Sequence, residues 1–395
     1  MHTTQSLQPH TAPKRLLALD VMRGMTIAGM ILVNDPGSWS YIYAPLRHAV
    51  WNGFTPTDLI FPFFMFIMGI SIALAFRKCN YIYSRSLGWK IAKRTVVLYL
   101  IGAGLSYLSH FWARLGAPLP EGGSQWEHLL YSLQAWENTF KLGVMQRLAI
   151  CYAGVAVLSL TLRHRLFPWV AGGLLAAYSV LLLVGNGYAY DASNWLGIVD
   201  RALLGVEHMP KIHHGLQPEG ILSTLPAFAH TMLGFCVGKL LLKVKDNRRR
   251  IRLFFSWGAA GIGVGLLLSF LLPLCKKNWS PSFVLVTCGL ALVLLAVLTW
   301  LIDVKHVRRW ATFFHVFGVN PLFIYVLAAL GAQLFAVCKL NVGGDFLPVS
   351  GFIVKVCLLP ITDLYVRSLF YALFFVGLNW LAGYWLMKHK IFVKI

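Results

Sequence analysis

The chain has 395 residues, of which 58% are hydrophobic and only 12% charged, against roughly 25% charged in an ordinary soluble domain. With a mean hydropathy of +0.66, this excludes a conventional water-soluble enzyme and leaves room for about ten spanning helices of roughly 20 residues each, with no separate soluble domain. The formal charge of +21 does not point to nucleic acid. Its Lys and Arg residues sit in short clusters between apolar runs, the pattern that orients a chain in a bilayer.

Residues 1–15 are polar, and the apolar run that follows carries Asp20 and Arg23 without a small-residue cleavage site. It is therefore expected to stay as the first span rather than be removed as a signal peptide. The predicted spans are 16–34, 56–76, 95–112, 142–162, 166–185, 221–242, 253–274, 281–302, 311–335 and 367–387. This is an all-α, polytopic membrane chain. Residues 1–15 form a short N-terminal segment and 16–395 the transmembrane domain. The stretch 336–366 is interrupted by Gly343–Gly344, Pro348 and Pro360 and is expected to be a loop with a surface-lying or re-entrant piece, because a spanning helix there would reverse the topology that follows.

Alternate connections hold 23 and 10 Lys and Arg, with Arg23 and Arg147 inside spans. The positive-inside bias puts both termini in the cytoplasm. The longer loops, 35–55, 113–141, 186–220 and 336–366, then lie outside together with Glu121, Glu127, Glu137, Asp191, Asp200, Glu207 and Glu219. The seven cysteines are scattered and contain no C-x-x-C pair, so neither a zinc site nor a disulfide framework is indicated. His208, His213 and His214 lack a supporting carboxylate pattern, and no metal is expected.

The densest polar constellation lies in the first sixty residues. Asp20 and Arg23, three apart on one helix face, are placed to pair. That pair is either structural or leaves Arg23 facing an anionic cofactor that enters from the cytoplasm. Asn34, His48, Trp51, Asn52 and Asp58 map to the outer end of the first two spans, with W-N-G as a tight turn. A histidine takes and gives a proton near neutral pH, Asp58 is a candidate to orient its ring, and Asn34 is a candidate donor to a developing oxyanion. Each also has an ordinary reading as a surface or turn residue. Glu219 precedes the sixth span. Asn278 and Trp279 open the eighth. Asn320 and Pro321 predict a break inside the ninth, lining a central cavity.

The string R-L-L-A-L-D-V-M-R-G-M-T-I-A-G-M-I-L-V-N (Arg15 to Asn34), followed by L-R-H-A-V-W-N-G-F-T-P-T-D-L-I-F-P-F-F-M-F-I-M-G (Leu46 to Gly69), resembles the heparan-α-glucosaminide N-acetyltransferase family, whose bacterial members include NagX-type membrane proteins. The likeness continues through G-V-M-Q-R-L (Gly143 to Leu148), P-E-G-I-L-S-T-L-P-A (Pro218 to Ala227), K-N-W-S-P-S-F-V (Lys277 to Val284), G-V-N-P-L (Gly318 to Leu322) and the K-I-F-V-K-I tail.

The resemblance implies a transmembrane acyltransferase that uses cytoplasmic acetyl-CoA to acetylate the amine of glucosamine or a glucosamine-terminated sugar across the membrane. His48 serves as base or acetyl acceptor, beside Asn34 and Asp58. It also implies a homodimer and, for a bacterial member, the inner membrane with His48 toward the periplasm. The chain offers only about fifteen residues before the first span, which favours a mono- or short oligosaccharide acceptor. Candidate cofactor contacts are Arg15, Arg23, Arg94, Arg147 and Lys239, of which most are equally readable as topology-setting charge and Arg147 as a structural pair. Candidate sugar contacts are Trp51, Asn52, Glu219, Asn278 and Trp279. The competing readings are an O-acetyltransferase of cell-envelope glycans and an amino-sugar permease. The clustering of His48, Asn34 and Asp58 at one mouth favours an enzyme, since carriers centre their sites near the midplane.

Overall fold

The apolar runs fold into helices whose ends are set by local chemistry, as seen in a computed structural model that describes residues 16–117, 124–138, 142–206 and 216–393. In order these are α1 (Leu17–Asn34), α2 (Ile60–Phe76), α3 (Arg85–Leu115), α4 (Gln125–Leu133), α5 (Val144–Thr161), α6 (Phe167–Val184), α7 (Trp195–Leu204), α8 (Thr224–Lys243), α9 (Asn247–Leu268), α10 (Pro281–Thr299), α11 (Ala311–Val319), α12 (Pro321–Val337), the strands β1 (Lys339–Val342) and β2 (Asp345–Pro348), then α13 (Val349–Phe352) and α14 (Leu364–Lys388). Among the described residues nine helices are long and apolar enough to cross a membrane. The pair α11–α12, bent by 86°, makes a tenth if it counts as one span.

The bend falls where Asn320 and Pro321 predict it. Pro321 starts α12 at a position where no backbone N–H is needed. Asn320 is fixed by the chain's end: its Nδ2 donates to the Ile391 carbonyl at 2.9 Å and its Oδ1 accepts from Val393 N at 3.0 Å. Ile391 and Val393 thus brace the break.

Other boundaries move. The third span begins at Arg85 rather than 95, because the Ser84 hydroxyl accepts from Leu87 N at 3.2 Å and caps the helix ahead of its basic first turns. The seventh ends at Leu268 rather than 274, which frees 269–280 to form a folded loop. The stretch 336–366 contains an antiparallel hairpin turning at Gly343 and Gly344, both at positive φ, then short helical turns. No sequence periodicity announces the hairpin.

More than half of α1, α2, α5, α8 and α10 is buried inside the protein, but only 17% of α3 and of α9. The first five therefore form the centre, and α3 and α9 lie at its outside. Small residues let the central backbones touch, as is usual where lipid provides no hydrophobic drive between helices. A Cβ on Gly24 would stand 1.7 Å from the Phe314 carbonyl oxygen, and one on Gly318 2.0 Å from that of Asp20. This close approach seats α11 on α1 and brings the bend beside Arg23.

Candidate active site

Between the central helices lies a cavity of about 500 Å³. Its lining includes Arg23, Ser71 and Arg94 toward one end and Asn34, His48, Glu219 and Lys276 toward the other. Arg23 and Asn34 are eleven residues apart on α1, about 16 Å along a helix axis. Pro321, Leu322 and Tyr325 at the start of α12 close one side, so the broken span does line it.

The His48 end is built from the T-P-T-D sequence. Thr55 and Asp58 form a reciprocal capping box over a short 3₁₀ turn, with Pro56 in its first position. Asp58 is 1% exposed. Its Oδ2 accepts from Thr55 N and Ala49 N, both at 3.1 Å, and from the Thr55 hydroxyl at 3.2 Å. Its Oδ1 accepts from His48 Nδ1 at 2.6 Å. An ionised carboxylate only accepts hydrogen bonds, so the Nδ1 proton belongs to the His48–Asp58 bond, and in the neutral ring the lone pair is then on Nε2. The rest of the ring is exposed.

Lys276 was missed by sequence reasoning, which counted it only as an outer-loop charge. Its Nζ lies 3.3 Å from Asp58 Oδ1 and 3.1 Å from His48 Nδ1. Burial pulls its ammonium down, while the Asp58 and Glu219 carboxylates pull it back up. The loop that carries it is tied internally. Ser280 N donates to the Cys275 carbonyl at 3.0 Å, Cys275 N to the Ser280 hydroxyl at 3.1 Å, and Trp279 takes a left-handed φ of 54°. Gly53 N donates to the Leu274 carbonyl at 2.6 Å, joining this loop to the W-N-G turn.

The remaining candidates divide. Glu219 lines the cavity. Trp51 is buried, donating from its indole to the Tyr188 carbonyl at 2.8 Å and resting against Tyr190, and Asn52 is exposed on the same turn. Asn278 and Trp279 are buried beneath the Lys276 loop. Asn278 Nδ2 donates to the Gly187 carbonyl at 3.2 Å, and the Trp279 ring meets Phe61 and Phe283 edge-on. None of these four is among the lining residues.

At the other end Arg23 bonds Asp20 at 3.0 Å and Ser71 at 3.2 Å while still facing the cavity, so the ion pair and the cavity contact coexist. Arg94 lines the cavity with its guanidinium over Tyr152. Lys239 lies instead over Tyr81, 3.9 Å from the ring centre. Arg147 is wholly buried within the protein. Its Nη2 donates to the Pro218 and Gly220 carbonyls at 3.0 and 3.2 Å and to the Ser223 hydroxyl, and its guanidinium lies over Trp279. It braces the loop that presents Glu219. Arg15, His208, His213 and His214 lie outside the described residues, and no metal-binding cluster occurs among those described.

A family model described as "Heparan-alpha-glucosaminide N-acetyltransferase, catalytic" matches residues 15–272. The chain belongs to the heparan-alpha-glucosaminide N-acetyltransferase family. The human protein named heparan-alpha-glucosaminide N-acetyltransferase is 30% identical over 374 residues, covering 80% of this chain and 52% of its own length. The mouse protein of the same name is 28% identical, covering 81% and 54%. The chain thus spans about half the length of these relatives. The matched region contains α1 to α9 and hence Arg23, Asn34, His48, Asp58, Arg94, Arg147 and Glu219, but not Lys276.

Proposed function

We propose that this chain transfers the acetyl group of acetyl-CoA, held at a cytoplasmic mouth, to the amine of glucosamine or a glucosamine-terminated sugar at the opposite, periplasmic mouth. One observation carries this reading: a single cavity is lined by Arg23 and Arg94 at one end and by His48, Asn34 and Glu219 at the other. The Lys and Arg bias puts the Arg23 end on the cytoplasmic side. Guanidinium groups suit the anionic phosphates of CoA, which do not cross hydrocarbon, and leave the thioester to reach inward on its flexible arm.

At the far mouth Glu219 attracts the sugar ammonium, which gives one proton to bulk water before attack, because only the free amine is nucleophilic. The amine nitrogen then adds to the thioester carbonyl carbon, forming the C–N bond and moving the C=O π pair onto oxygen, where Asn34 donates a hydrogen bond. His48 Nε2 takes the proton released by nitrogen. As the C=O bond re-forms, the C–S bond breaks and the departing thiolate receives that proton, leaving an amide and CoA thiol. Asp58 keeps the ring in the tautomer this requires. Direct transfer needs only one positioned histidine. The variant in which Nε2 itself carries the acetyl group would give ping-pong kinetics.

The test is an acceptor screen on purified protein with acetyl-CoA labelled in the acetyl group. Label appearing in N-acetylglucosamine supports the reading, and label in an O-acetyl sugar redirects it to hydroxyl acceptors. Uptake of amino sugar by proteoliposomes with no CoA released would replace it with a permease.

A further inference from the structure

Lys276 has no part in the scheme above, yet it is the one cation that reaches the His48–Asp58 pair among the described contacts, and it comes from a loop 228 residues away in sequence. An ammonium group carries three N–H donors. Asp58 Oδ1, 3.3 Å away, takes one. The His48 Nδ1 neighbour at 3.1 Å already donates its own proton to Asp58 and has no lone pair to offer. Two donors therefore remain on a group that lines the cavity beside His48 and Asn34.

We propose that Lys276 is a catalytic residue that donates, with Asn34, to the thioester oxygen as it becomes an oxyanion. This rests on the reading of the His48 mouth as the place of acyl transfer. A fixed positive charge is worth more to an oxyanion than to the neutral carbonyl before it, and that difference lowers the barrier. Asp58 balances the ammonium in the resting site and holds it beside the ring, so no reorganisation is needed when the negative charge appears.

Burial pulls the Lys276 ammonium down, which raises the question of a nucleophilic role. Acetylation of Nζ would give an amide, too inert to pass its acetyl group to a second amine, so such an enzyme would stop after one turnover. The donor role has no such defect. The loop supports it by rigidity: the reciprocal Cys275–Ser280 bonds and the buried Trp279 ring fix the backbone on either side of Lys276.

The experiment uses the full-length protein in detergent. Lys276→Met is expected to lower kcat by about 10²-fold or more while the Kd for acetyl-CoA changes less than about threefold. Lys276→Arg should retain at least ten times the Met variant's rate. Lys276→Cys should be as slow as Met and recover at least tenfold on aminoethylation with 2-bromoethylamine, which rebuilds a side chain ending in an ammonium. The treated wild type controls for the other cysteines, and peptide mass spectrometry confirms modification at 276. The Cys comparison is made on one folded sample before and after treatment, so loss of folding does not enter it. A Met variant with kcat within threefold of wild type overturns the proposal, as does a modified Cys variant that stays slow, or an Arg variant no faster than Met. If His48→Ala keeps wild-type turnover, the underlying reading fails. If His48→Ala is inactive and Lys276→Met is not, only the role of Lys276 fails.

Discussion

Arg147 holds Glu219 by the backbone on either side of it: its Nη2 donates to the carbonyls of Pro218 and Gly220. A cation inside a span is expensive unless it finds polar partners, and here the partners are main-chain carbonyls of the loop that enters α8. Gly220 is required at this join, because a Cβ there would stand 1.9 Å from Asp200 Oδ2. Asp200 in turn accepts from Ile221 N at 2.8 Å. The Glu219 carboxylate is thus carried into the cavity by a loop clamped from two directions.

Replacing Arg147 with Met should remove the charge-assisted donor from both carbonyls, leaving only the Ser223 and Thr224 hydroxyls to serve them, and destabilise the protein by about 2 kcal/mol. Thermal unfolding in detergent would show this as a lowered Tm, with KM for the amino sugar raised as Glu219 loosens. The apparent Kd for acetyl-CoA should barely move, which separates a bracing role from direct contact with the cofactor.

The His48–Asp58 bond predicts an asymmetric pair of variants. His48→Ala removes the proposed base, and turnover should fall by about 10³-fold or more. Asp58→Asn keeps the shape but presents an amide that can donate to Nδ1. That favours the wrong tautomer, with a loss of about 10³–10⁴-fold. Initial rates at saturating substrates check both, and an Asp58→Asn variant within tenfold of wild type would contradict the assignment of the Nδ1 proton.

Placement distinguishes the basic residues. Arg23→Met and Arg94→Met should each weaken acetyl-CoA binding by about tenfold or more, the scale of one charge-assisted contact. Lys239→Met should change it by less than twofold, because that ammonium is seated on Tyr81 rather than in the cavity. Calorimetric titration with CoA ranks the three variants. Equal losses in all of them would mean that only general positive charge matters.

Asp200 gives a pH dependence with a definite sign. Burial pushes its carboxyl from 3.8 up to about 6. Between those values the folded protein binds more protons than the unfolded chain, so stability falls as pH rises from about 4 to about 6 and is flat above. The whole effect is of order 2–3 kcal/mol. Asp200→Asn should abolish that decline, leaving the variant's stability advantage largest above pH 6. Unfolding midpoints at several pH values across this window test it, and parallel curves for the two proteins would refute it.

Sequence alone determined the membrane class, nearly all the spans and the pairing of His48 with Asp58. Those features are local: apolar length reports a span, Asn320–Pro321 reports a break, and T-P-T-D seven to ten residues after His48 writes its own capping box and delivers the carboxylate to the ring. The family strings around His48, Arg147 and Glu219 are equally readable in one dimension. Only the tertiary structure decided which polar residues share a cavity. Arg94 and Lys239 look alike as basic residues near one membrane face, yet one reaches the cavity and the other an aromatic ring. Asn278 and Trp279 look like surface recognition residues but turn inward, because the left-handed turn at Trp279 drives its ring beneath the loop. Lys276 shows no local signal at all. Its meeting with Asp58, 218 residues earlier in the chain, depends on α9 ending early enough to leave a folded loop over the W-N-G turn, and helical periodicity carries no information about that.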